Sequence, residues 1–123
     1  MKKILLVDDE PNVIKVLTKR LSSEGFLVES AGDGELALTK ANQSRPDLIL
    51  LDIIMPKLDG ISVLKKLKAS DQTKNIPVII LSNLYDDKKM EEVLHTNNTD
   101  YLIKVEHPLS DVVKKVKEKL NIV

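Results

Sequence analysis

One carboxylate interrupts an otherwise apolar run, Leu48-Ile49-Leu50-Leu51-Asp52-Ile53-Ile54-Met55-Pro56. A run this continuous reads as a strand covered on both faces. A charge inside it is costly unless it stands at the strand's end, where water, hydrogen bonds or a metal can reach it, and Met55-Pro56 marks that end. Three further acids, Asp8-Asp9-Glu10, follow directly on the short apolar run Ile4-Leu5-Leu6-Val7. Ser82 closes a third such run, Val78-Ile79-Ile80-Leu81, and Lys104 closes a fourth, Asp100-Tyr101-Leu102-Ile103. Carboxylates brought together repel one another, and a hard divalent cation with oxygen ligands, Mg²⁺ foremost, relieves them. A carboxylate beside such an ion can act as nucleophile toward a phosphoryl group, giving an aspartyl phosphate at Asp52. Ser82 could then donate to one phosphoryl oxygen, and Lys104 could offer a compact positive charge to another. Singly, each residue also has a plain structural reading: a turn cap for Asp52, loop acids for Asp8 and Asp9, a turn hydroxyl for Ser82, a solvated charge for Lys104.

The elements that must position these groups alternate strictly. After the first strand, Pro11 suits a helix's first turn, and Val13, Val16, Leu17 and Leu21 recur at helical spacing up to Gly25, which fits the left-handed residue past a helix end. Phe26–Ser30 reads as the second strand. Asp33 caps a helix carrying Leu36, Ala37 and Ala41, which exits at Arg45-Pro46. Asp59-Gly60 opens a third helix with Ile61, Leu64 and Leu67 on one side, broken by Asn75-Ile76-Pro77. Asp86-Asp87 cap a fourth, carrying Met90, Val93 and Leu94, which Asn97-Asn98 can close. Pro108, Ser110 and Asp111 open the last, with Leu109, Val112, Val113, Val116 and Leu120 as its apolar stripe. Five strand-helix units predict a doubly wound α/β fold with a parallel sheet, whose site lies at the carboxyl ends of the strands.

Composition narrows the function classes. At 123 residues and 42% hydrophobic, the chain suits a single domain over 1–123 with one core. Nineteen basic residues balance nineteen acidic ones, so no global field gathers nucleic acid or an anionic membrane. No cysteine is present, which excludes disulfides and thiol chemistry. Met1-Lys2-Lys3 leads into only four apolar residues, too few for a signal-peptide core or a membrane helix. The expectation is a soluble cytoplasmic protein with no direct nucleic-acid or membrane partner. His95 and His107 lack ligand spacing and are read as surface residues.

Taken in order, Leu5-Leu6-Val7-Asp8-Asp9-Glu10-Pro11, Leu48 to Pro56 with Asp59-Gly60, Pro77 to Ser82, and Asp100 to Lys104 resemble the receiver domain of two-component response regulators. The resemblance spans nearly the whole chain. It implies a flavodoxin-like sheet of strand order 2-1-3-4-5 with five helices, which would set Asp8, Asp9 and Asp52 around one crevice. It further implies that Asp52 accepts a phosphoryl group from the phosphohistidine of a sensor histidine kinase or phosphotransfer protein. Asp9 would bind Mg²⁺ directly, Asp8 largely through water, and the Ile54 backbone carbonyl would be a further ligand. Ser82 would be the switch hydroxyl, Tyr101 the aromatic that moves with it, and Lys104 the phosphate-binding lysine. Phosphorylation would shift the surface of the fourth helix, fifth strand and fifth helix toward a downstream protein target or output domain. The chain would thus be a signalling switch rather than an enzyme. Three positions depart from the family pattern: Val105 where proline, in a cis bond, is usual, Asn83 where a small residue is usual, and Asn97-Asn98 where Gly-Ala is common. Ile54 and Leu84, flanking the pocket, are expected to set the lifetime of the phosphorylated state.

Three rival readings compete with this one. A flavodoxin-like redox domain needs hydroxyls and amides around the flavin phosphate after the first strand, where Asp8-Asp9-Glu10 would repel it. A haloacid-dehalogenase-type phosphohydrolase needs two aspartates two apart after the first strand and a cap insertion, and neither stands here. The third rival is a receiver-like interaction module signalling without phosphorylation. The sequence leaves open whether the domain acts alone or within a larger regulator.

Overall fold

A computed structural model describes residues 1–52, 60–82, 99–103 and 109–121, with the main chain alone at 82 and 101–103. Its strands are β1 (Lys3–Val7), β2 (Leu27–Ala31), β3 (Leu48–Leu51), β4 (Val78–Ser82) and β5 (Thr99–Ile103). The described helices are α1 (Pro11–Ser23), α2 (Gly34–Ser44), α3 (Gly60–Ala69) and α4 (Leu109–Lys119). All neighbouring strands pair in parallel, in the order β2-β1-β3-β4-β5. This is the flavodoxin-like doubly wound sheet that the alternation and the resemblance predict. The helix expected to begin at Asp86-Asp87, with Leu84, Asn83, His95 and Asn97-Asn98, lies outside the described residues, as do Ile54, Lys104, Val105 and His107.

The pleat explains why the central strands are apolar throughout. Alternate residues Leu5, Val7, Ile49, Leu51, Val78 and Ile80 pack with Ala37, Ala41, Ile61, Val63, Leu64 and Leu67 of α2 and α3. Their neighbours Ile4, Leu6, Leu48, Leu50, Ile79 and Leu81 pack on the other face with Leu17 and Leu21 of α1, Phe26, and Val112, Val113 and Val116 of α4. Each fully buried Leu or Ile contributes about 1.5–3 kcal/mol by leaving water, so the two layers hold the sheet rigid between them.

Helix ends follow the local chemistry that the sequence announces. Pro11 occupies the first turn of α1, and Gly25 past its end has φ +94°. The Asp33 carboxylate caps α2, accepting from the Leu36 N–H at 2.9 Å. Arg45 leaves α2 in the left-handed region, φ 44°, immediately before Pro46. The second strand begins one residue later than its sequence suggests. Phe26 still belongs to the helix exit, its N–H donating to Leu21 O at 3.2 Å, and its ring is buried in the core.

Candidate functional site

Two central strands deliver the acids. β1 ends at Val7, and the next amide, that of Asp8, continues the ladder by donating to Ala31 O at 3.2 Å. β3 ends at Leu51, and the Asp52 amide continues its own ladder by donating to Val7 O at 2.9 Å. Val7 stands opposite Leu51 in the register, so Asp8 and Asp52 are the first residues beyond a paired position on adjacent strands, whose usual spacing is about 4.8 Å. Both are buried, at 2% and 6% exposure, unlike most carboxylates.

The loop after β1 is wound back on Asp8. Asp8 Oδ1 accepts from the Glu10 N–H at 2.9 Å, an Asx-type turn that carries the chain into α1. As a result one carboxylate oxygen from each of Asp8, Asp9 and Glu10 lies within 4.8 Å of the other two, with Asp9 and Glu10 exposed. Glu10 is also the residue that precedes α1, yet its side chain makes no capping bond to the helix. Unit charges at such separations repel by up to about 4 kcal/mol per pair near a protein surface. An all-oxygen, multiply charged donor set of this kind fits a hard divalent ion such as Mg²⁺ and suits a soft metal poorly. Asp8, Asp9 and Glu10 form that group among the described residues; Asp52 is outside it, its main chain held on the neighbouring strand by the bond to Val7 O.

Ser82 and Tyr101, two further expected site residues, stand on β4 and β5, one and two strands from β3. Ser82 ends β4 with its main chain opposite Ile103 of β5, so the hydroxyl-bearing residue and the residue preceding Lys104 share one level of the sheet. Tyr101 stands opposite Ile80. The side chains of Ser82 and Tyr101, and all of Ile54 and Lys104, lie outside the described atoms. Among the described residues no helix is long and apolar enough to cross a membrane. Glu10 is the member of this acidic group to which the sequence assigned no role, although three consecutive acids between a strand and a helix-starting proline were the visible signal.

Against known proteins, the model of the family described as "Response regulator receiver domain" matches residues 4–117. The alkaline phosphatase synthesis transcriptional regulatory protein PhoP of Bacillus subtilis is 42% identical over 105 residues, covering 84% of this chain and 42% of that protein. The chain thus spans less than half the length of that relative. The chemotaxis protein CheY4 of Vibrio cholerae superposes with a TM-score of 0.89 at 30% identity, covering 98% of this chain and 99% of that one. The receiver domain of the Pseudomonas aeruginosa sensor histidine kinase PA1611, with magnesium coordinated in its active-site cleft, gives 0.87 at 29% identity over 98% of both chains.

Proposed function

The chain belongs to the response regulator receiver family, and on that premise we propose that Asp52 is the acceptor of a phosphoryl group in a two-component signalling pathway. The observation that supports this reading is the position of two buried acids, Asp8 and Asp52, at the ends of adjacent central strands, with Asp9 and Glu10 gathered beside Asp8. In this reading Asp52 Oδ attacks the phosphorus of a phosphohistidine on a sensor histidine kinase or phosphotransfer protein. The O–P bond forms as the N–P bond breaks, and the departing imidazole takes up a proton. Mg²⁺, when bound there, would supply charge to neutralise the phosphoryl oxygens.

Asp9 and Asp8 would hold that ion, with the Ile54 carbonyl as a further ligand. Asp8 is preset for its part, because the Glu10 amide already fixes one of its oxygens. Ser82 and Lys104 donate to the phosphoryl oxygens, drawing the ends of β4 and β5 toward Asp52, and Tyr101 follows. The altered surface then meets a downstream protein target or output domain. The domain is a switch, and its only chemistry is its own phosphorylation and dephosphorylation.

Incubation with Mg²⁺ and acetyl phosphate, followed by intact mass measurement, tests the proposal. One acid-stable, base-labile phosphoryl adduct is expected, lost in Asp52→Asn and on chelation of the metal. An adduct that persists in Asp52→Asn, or none in the wild type, overturns it.

A further inference from the structure

Away from the acidic end of the sheet, a groove of about 340 Å³ runs between α1 and α4, bounded by Arg20 and Glu24 on one side and by Ser110, Val113, Lys114 and Lys117 on the other. Glu24 is held from both helices, with Arg20 Nε at 3.9 Å and Lys117 Nζ at 3.3 Å. With Glu118 also in the lining, three cations stand against two carboxylates and the groove keeps one net positive charge. Lys114, exposed and one turn from Ser110, makes no ion pair among the described residues.

The surroundings extend the same sign. α1 carries Lys15, Lys19 and Arg20 with no acid in its length, and α4 carries Lys114, Lys115, Lys117 and Lys119 against Asp111 and Glu118. Because the whole chain has no net charge, this side of the molecule holds a local excess that the rest of the surface must balance with acids. Val16, one turn before Arg20 on α1, is 51% exposed, among the largest exposed aliphatic side chains of the described residues.

We propose that this groove docks an acidic amphipathic segment of a partner protein, its carboxylates set against Lys114, Arg20 and Lys117 and an apolar side chain over Val113. Glu24 and Glu118 within the lining decide between this occupant and nucleic acid. A uniform polyanion would meet both carboxylates, whereas a peptide can place a neutral or basic residue opposite them. The proposal does not depend on the chemistry of Asp52.

Three synthetic helical peptides sharing one leucine stripe, with Glu, Lys or Gln at every other position, and a short DNA duplex, are titrated into the isotope-labelled full chain. The Glu peptide should shift amide resonances around Arg20, Ser110, Lys114 and Lys117 and bind at least about tenfold more tightly than the Lys peptide, at low salt. Lys114→Glu should weaken it by about tenfold with the thermal midpoint unchanged, and Asp52→Asn should leave it unaltered. Equal affinity for the three peptides, shifts confined to another face, or tighter binding of the DNA duplex overturns the proposal.

Discussion

The amide of Asp52 donates a 2.9 Å hydrogen bond to the carbonyl oxygen of Val7, the residue immediately before Asp8. This bond prolongs the β1–β3 ladder by one step beyond the last paired residues, and it fixes where both acids leave the sheet. Asp8 and Asp52 therefore leave adjacent strands at one level of the sheet. A cation is the natural means of stabilising them, and the consequences can be measured.

Mg²⁺ should stabilise the fold by mass action. At ten times its dissociation constant the ion is expected to raise the unfolding free energy by about 1.4 kcal/mol, read from urea unfolding with and without metal. In Asp9→Asn the same concentration should give less than half of that gain, because a directly ligating charge is lost. An undiminished gain would remove Asp9 from the site.

Glu10→Gln tests the acid that reasoning from sequence left idle. Its carboxylate lies within 4.8 Å of those of Asp8 and Asp9 without capping α1. Affinity for Mg²⁺, measured by calorimetry, should fall about threefold or more through the lost Coulombic attraction, while helix content stays constant.

Asp33→Ala removes the carboxylate that accepts the Leu36 amide and should cost about 1 kcal/mol of stability, with Asp33→Ser recovering most of it. Metal affinity should change little, since Asp33 is not one of the carboxylates grouped with Asp8. Chemical denaturation of the two variants checks the first part, calorimetry the second.

Thr73 is buried, and its hydroxyl donates to Leu67 O at 2.6 Å where the chain turns after α3. Thr73→Val leaves that carbonyl without this donor. A loss of about 1–2 kcal/mol is expected in denaturant unfolding.

Lys68 gives the fold an alkaline signature. Its ammonium donates to Ile76 O at 2.7 Å and Lys74 O at 3.2 Å, while burial, and secondarily the charge of Lys119, hold its pKa below the usual 10.5. Between that lowered value and 10.5 the unfolded chain binds more protons than the folded one, so this group makes stability rise with pH across that window. Relative to Lys68→Gln, the wild type should therefore gain stability as pH climbs toward 10.5. A constant difference would show that the lysine titrates alike in both states.

Much of this was legible in the residues. Leu48 to Leu51 could be read as a doubly covered strand because no polar residue breaks the run, and Asp33, Gly25 and Pro11 punctuate helices through their own backbone preferences. The strand order was not legible in periodicity, since alternation dictates parallel strands and leaves open which are neighbours. It came from the family resemblance. Phe26 misled as a strand start because an aromatic suits a strand and a helix exit equally well, and its burial is decided by the α1–β2 packing. Glu10 drew no role from the sequence because its proximity to Asp8 and Asp9 arises from the Asp8–Glu10 turn, a feature of geometry rather than composition.

In the proposed switch, carboxylates from two strand ends act upon one cation. Titrating Mg²⁺ into isotope-labelled protein and following the amides of Asp8, Asp9, Glu10 and Asp52 addresses this directly. All four should move along one binding curve with a common dissociation constant. Movement at Asp8 to Glu10 with Asp52 unaffected, or two separable curves, would contradict it.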